Sequence, residues 1–410
     1  MGRIMALLLV LGILSATAAG AEVEFSTASP IQMTEEPPSL SGEPLLEAPP
    51  FTLSCASAML LEPRSGQVLF ELNGDTPRAV ASVTKIMTIL LTLEAIDAGR
   101  IGLDDTVTVS EDASGMGGSQ VLLDAGEVQT VSELLKSMIV GSANDASVAM
   151  AEALYGSEAL CVSRMNERAR ELGMTDTVFK NCTGLPAEGQ HTTARDVARM
   201  SVELFGHDRY FEYAGIWLDE VDHGDGRKTQ LTNTNKLIRL YDGCDGGKTG
   251  STNEAGYCIS ATAERGGMRL IAIVLGSPDS ATRFNDVEEM FDFGFANYRL
   301  YPVAEKGAMV RGTLPVTGGE AEGVALALDG ALTLLILKGE EQGIRLEPEL
   351  PEAIEAPVRK GDPVGQVQVI VEGKRVASIP VVAAGDVDAR GLMPALQQML
   401  GEWIFSEIGE

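Results

Sequence analysis

Histidine is almost missing from this 410-residue chain: His191, His207 and His223 are the whole complement. That scarcity argues against a histidine-built metal centre and against a Ser-His-Asp triad. Basic residues are outnumbered, 31 Lys plus Arg against 59 Asp plus Glu, for a formal charge of −28. A surface so acidic repels phosphate backbones and anionic lipid, so no nucleic-acid partner is expected. The five cysteines (Cys55, Cys161, Cys182, Cys244, Cys258) are scattered and never form CxxC pairs. They can make at most one or two bridges and offer no zinc site, so neither a metal nor another cofactor is expected. Low-complexity sequence is confined to one Pro-rich stretch.

What the chain does contain begins with an export signal. Arg3 is the only charge before Glu22, and Ile4 to Leu14 is apolar but too short to span a bilayer. Small residues from Ala16 to Ala21 follow, so residues 1–21 read as a signal peptide and the rest as extracytoplasmic. Residues 22–51 hold six of the eighteen prolines and read as an extended linker. Ala56–Leu61 and Val68–Leu72 flank Arg64-Ser65-Gly66 as a hairpin. Helical periods run from Ser82 to Ala98, Val131 to Val140 and Ala143 to Leu154, and Thr193 with Asp196 resembles a capping box. Tyr257–Ala263 and Met268–Leu275 form a second hairpin before a helix over Thr282–Tyr298. Strands at both ends of a helical block predict an α+β domain over residues 52–300. Short alternating segments such as Val324–Leu328 and Val367–Val371 predict a small all-β domain over 301–387. Residues 388–410 end in an amphipathic helix with Leu392, Leu396, Met399, Leu400 and Trp403 near one face.

Three short motifs carry the chemistry: Ser82-Val83-Thr84-Lys85, Ser142-Ala143-Asn144 and Lys248-Thr249-Gly250. Ser82 opens a helix, which puts Lys85 on the same face one turn later. Ser142 and Asn144 lie on a loop tip leading into a helix, and Lys248 lies on a strand placed at a sheet edge. Together they suit acyl transfer to a serine without histidine. Lys85 can serve as base if burial, the helix end and Lys248 lower its pKa. Ser142 can relay a proton to the leaving amine, while Asn144 orients substrate and Lys85. The Ser82 amide and a donor from Ser251 can hold an oxyanion. Lys248 and the Thr249 hydroxyl suit a carboxylate, and Gly250 clears room for the substrate backbone.

Over roughly Ala56 to Tyr298 the chain resembles the low-molecular-weight penicillin-binding proteins that are serine-type D-alanyl-D-alanine carboxypeptidases. Besides the three motifs, Met165-Asn166 through Leu172-Gly173-Met174, Asn181-Cys182-Thr183-Gly184-Leu185-Pro186, Thr232–Leu237 and Glu254-Ala255-Gly256-Tyr257 carry the likeness. The resemblance implies the penicillin-binding/β-lactamase-like transpeptidase fold, an antiparallel sheet with helices on its faces, followed by the β domain and terminal helix. It makes Ser82 the acylated nucleophile, Lys85 the base, Ser142 and Asn144 the second catalytic element, and Lys248 with Thr249 the carboxylate site. The implied partners are peptidoglycan stem peptides, which lose their terminal D-alanine, and β-lactam antibiotics. It also implies that the terminal helix rests on the outer face of the cytoplasmic membrane. That helix has no Lys or Arg after Arg390 and carries Glu402, Glu407 and Glu410, so packing on the β domain is the rival expectation. No Glu-x-x-x-Asn element follows Ser142, which argues against efficient antibiotic hydrolysis; Glu167 sits in a helical stretch instead. A D,D-endopeptidase, a β-lactamase or a non-catalytic peptidoglycan-binding protein remain alternatives on the same motifs.

Overall fold

The structure, a computed structural model, describes residues 40, 44–46, 50–371 and 373–391. The signal peptide, most of the linker and the tail from residue 392 lie outside the described residues. One compact unit runs to Tyr298 and a second begins at Arg299.

The first unit is built on a five-stranded antiparallel sheet. Its strands are β1 (Ser57–Glu62), β2 (Gln67–Leu72), β3 (Cys244–Thr252), β4 (Gly256–Arg265) and β5 (Met268–Ser277), in spatial order β2-β1-β5-β4-β3. Every residue of β1 is buried, as a strand covered on both faces requires. The two edges differ. Leu45 and Leu46 donate backbone hydrogen bonds to Val68 and Leu69 of β2 at 3.1 and 3.0 Å, so the end of the expected linker pairs with the sheet. On the opposite side β3 is the edge strand, as its sequence context suggested.

The helix expected from Ser82 is split. Ala81–Thr84 forms a 3-10 turn, and helix α1 runs from Lys85 to Asp97. It is apolar all round, with Ile86, Met87, Ile89, Leu90 and Leu93 fully buried, so it runs through the core rather than over it. Around it stand α2 (Val131–Val140), α3 (Asn144–Tyr155), α4 (Glu158–Glu171) and α5 (Ala194–Leu204), while α6 (Ser280–Asn297) packs on β5. Thr193 caps α5 by accepting from the Asp196 amide at 3.1 Å. The Asp196 carboxylate turns away from a capping box and accepts from the Asp176 amide, the Thr177 hydroxyl and Arg199. Asp279 caps α6 by accepting from the Ala281 and Thr282 amides at 2.8 Å.

The second unit is β-rich. A six-stranded sheet pairs Pro363–Val371 with Lys374–Ala383 and Gly323–Leu328 with Met309–Thr317, around a core that includes Val324, Leu326, Val367, Val369 and Val381. All five cysteines are buried and unpaired. Among the described residues no helix is long and apolar enough to cross a membrane, and no cluster of three acidic, His or Cys side chains could hold a metal.

Candidate active site

The three motifs meet. Lys85 is wholly buried, and its Nζ lies 3.1 Å from Ser82 Oγ, 2.5 Å from Asn144 Oδ1 and 2.6 Å from the Thr183 carbonyl. Lys248, also buried, donates to Ser142 Oγ at 2.7 Å and to the Thr249 carbonyl at 2.9 Å. Asn144 bridges onward, its Nδ2 donating to the Gly117 carbonyl at 2.6 Å. Ser251 is exposed on the edge strand. Ser82, Lys85, Ser142, Asn144, Lys248 and Gly250 are thus brought together across the 3-10 turn, the loop before α3 and β3, while Ser251 is placed only on the exposed edge of β3.

Local backbone explains how the side chains are aimed. The 3-10 turn leaves the Ser82 hydroxyl out of helix capping, since no side chain caps either the turn or α1. Ala81 at φ 50° and Ser142 at φ 60° both occupy the left-handed region, which non-glycine residues rarely adopt. Such strain persists only where the surroundings enforce it, and it gathers at working sites.

Electrostatics favours an amine base. Burial brings Lys85 down from 10.5 to about 7, against the opposing pull of Asp145 and Cys182. Of the three causes expected, burial is the one that lowers it here. Lys248 is also held well below its ordinary value, first by burial and then by the charges of Lys85 and Arg283. A positive charge on Lys85 therefore disfavours one on Lys248.

Gly250 meets a packing constraint that its motif does not reveal. A Cβ there would lie 2.5 Å from the Val80 carbonyl, 2.8 Å from the Ser82 nitrogen and 2.9 Å from the Val83 nitrogen. The glycine lets β3 close on the nucleophile turn itself.

The chain has known relatives. Residues 44–279 match the family model described as D-alanyl-D-alanine carboxypeptidase. The chain belongs to that family. Residues 298–389 match the model for the C-terminal domain of penicillin-binding protein 5. The D-alanyl-D-alanine carboxypeptidase DacF of Bacillus subtilis is 40% identical over 85% of this chain and 89% of its own length. DacC of Escherichia coli is 33% identical, over 90% and 94% of the two chains. Among solved structures, penicillin-binding protein 5 of Haemophilus influenzae superposes with a TM-score of 0.72 at 29% identity, over 83% of this chain and 99% of that one. The fold is thus the penicillin-binding type expected, with an all-β domain after it.

Several residues of this carboxypeptidase site carried no role in the sequence reading. Asp145 accepts from the Val121 and Leu123 amides at 3.1 Å, fastening the 117–123 segment that Asn144 also touches. The Tyr210 hydroxyl spans the Gly247 carbonyl and amide, at 3.1 and 3.0 Å, and so braces β3. Arg283 is buried under β3, donating to the Gly250 and Cys258 carbonyls, with burial lowering it to about 10. Asp145 follows Asn144 directly in the sequence, which was signal enough, whereas Tyr210 and Arg283 act across the fold and leave none. Glu167 stands on α4, half-exposed and 3.5 Å from Arg164.

Proposed function

We propose that this serine-type D-alanyl-D-alanine carboxypeptidase works through an acyl-enzyme on Ser82, with Lys85 as its base. The carrying observation is the Lys85 amine, buried and lowered to about 7, within 3.1 Å of the Ser82 hydroxyl. Ser82 Oγ attacks the carbonyl of the penultimate D-alanine and passes its proton to Lys85. The amides of Ser82 and Ser251 hold the oxyanion, and Asn144 orients substrate and amine. Collapse expels D-alanine, whose nitrogen takes a proton from Ser142, recharged from Lys248. Water then releases the shortened stem peptide and restores Ser82. Thr249 and Lys248 receive the terminal carboxylate, whose arrival favours the protonated form of Lys248, while Gly250 keeps β3 closed on the turn.

β-Lactams mimic the dipeptide and acylate the same serine. Export is supported by residues 1–21 and fits a substrate outside the cytoplasm. The division into a catalytic domain (52–300) and a β-rich domain (301–387) is supported by the change of compact unit at Arg299. For residues 388–410 the sequence supports apolar contact with the outer membrane face through Leu392, Leu396, Met399, Leu400 and Trp403.

Mass spectrometry after incubation with benzylpenicillin and, separately, a D-Ala-D-Ala-terminated peptide tests the reading. A penicilloyl adduct on Ser82 with release of one D-alanine is expected. An adduct without release would point to an endopeptidase or a β-lactam-binding relic, and no adduct would leave a non-catalytic wall-binding protein.

A further inference from the structure

The segment Asn181–Leu185 touches both halves of the nucleophilic pair. The Thr183 carbonyl accepts from Lys85 Nζ at 2.6 Å. One residue later, Gly184 at φ 83° lies so close to the nucleophile turn that a Cβ would stand 2.0 Å from the Ala81 carbonyl oxygen and 2.9 Å from the Ser82 nitrogen. No side chain fits there, and the left-handed backbone suits only glycine well.

From within, the segment is shaped chiefly by Asn181, with the Thr183 hydroxyl accepting from the Leu185 amide at 3.3 Å. Asn181 Oδ1 accepts from the Gly184 amide at 2.7 Å, the Thr183 amide at 3.3 Å and the Thr183 hydroxyl at 3.2 Å. Its Nδ2 donates to the Leu185 carbonyl at 2.8 Å. Gln190 holds the outside, accepting from the Lys180 and Asn181 amides and donating to the Leu185 carbonyl.

Proton inventory shows what this achieves. A neutral lysine amine has two N–H bonds and one lone pair. Two of the three partners of Lys85, Asn144 Oδ1 and the Thr183 carbonyl, can only accept. They take the two N–H bonds, which leaves the lone pair for the Ser82 hydroxyl proton. Without the carbonyl in place the amine can rotate and lose that aim.

We propose that Asn181 and Gly184 are positioning residues of the acylation step, together forming a template that sets the Lys85 lone pair and the Ser82 amide at once. This rests on the assignment of Ser82 as nucleophile and Lys85 as base. The titratable groups facing Lys85 are Asp145 from α3, Cys182 from the template and Lys248 from β3.

The test is the pH dependence of acylation by a fluorescent penicillin in the full chain carrying Asn181→Ala or Asn181→Asp. Asn181→Ala should slow acylation by about 100-fold, the loss a misplacement of about 1 Å produces. Its acid limb, near pH 7 in the parent, should move upward as the loosened segment admits water to the amine. Asn181→Asp keeps the accepting oxygen and should restore the rate to within about threefold, with the acid limb raised by the added carboxylate. Wild-type rates and an unmoved limb in both variants would overturn the proposal, as would a uniform loss that aspartate does not rescue. Should Asn181→Ala not fold, Asn181→Ser takes its place, with a comparable loss of rate expected and a wild-type rate counting against the template. A wild-type protein without a Ser82 adduct would instead sink the underlying assignment.

Discussion

Replacing Lys85 with methionine should flatten the pH dependence of stability by an amount the burial of the amine fixes. In the folded chain this amine titrates at about 7 rather than its ordinary 10.5. Between those values the unfolded chain holds the proton and the folded one does not, so stability rises with pH across the window. At about 1.4 kcal/mol per pH unit, the penalty is roughly 4 kcal/mol at pH 7 and roughly 2 kcal/mol at pH 9. Methionine fills similar space and does not titrate. It also strands the Asn144 and Thr183 oxygens, at about 1–3 kcal/mol each, but that loss is the same at both pH values. The change in the wild-type minus variant difference between pH 7 and pH 9 therefore isolates the amine, at about 2 kcal/mol. Urea unfolding in a Trp403→Phe background, with Trp217 fluorescence reporting on the first unit, would measure it. Parallel pH profiles for the two proteins would refute the claim that a neutral amine is buried there.

Gly250→Ala should lower acylation at least about 100-fold and destabilise the first unit by about 3 kcal/mol, because its methyl meets backbone rather than a movable side chain; a normal labelling rate would show that β3 does not brace the turn. A chain ending at Gly391 should lose binding to zwitterionic vesicles that the full chain shows, with little salt dependence, and equal partitioning would remove the tail as a membrane contact.

Sequence made the side-chain chemistry legible because spacing on a helix and position at a sheet edge are local properties. Ser82 and Lys85 are three residues apart, and the glycine-rich context of Lys248 suggested an edge. The backbone contribution was not legible in the same way: nothing in the letter threonine marks the Thr183 carbonyl as a partner of Lys85. At Gly250 the motif shows nothing of the close approach to the Ser82 turn, a contact made across the fold. Helix α4 was sensed only around Glu167, since its buried stripe is just Cys161, Met165 and Ala169 among charged residues. The hairpin Leu218–Asp222 with Lys228–Thr232 went unread because three of its first five residues are acidic, a poor strand composition.

The two edges of the central sheet also bear on solubility. An unpaired strand edge invites pairing with another copy of the chain, and natural sheets resist this with covered edges or inward-pointing charge. Here Leu45 and Leu46 cover β2. On β3 a buried lysine sits within a run that includes Gly246, Gly247 and Gly250, poor material for stacking strand on strand. An edge strand left open on one side is thus guarded against its own kind by its composition. Loss of the glycines around Lys248 would therefore be felt as aggregation as well as in the local backbone.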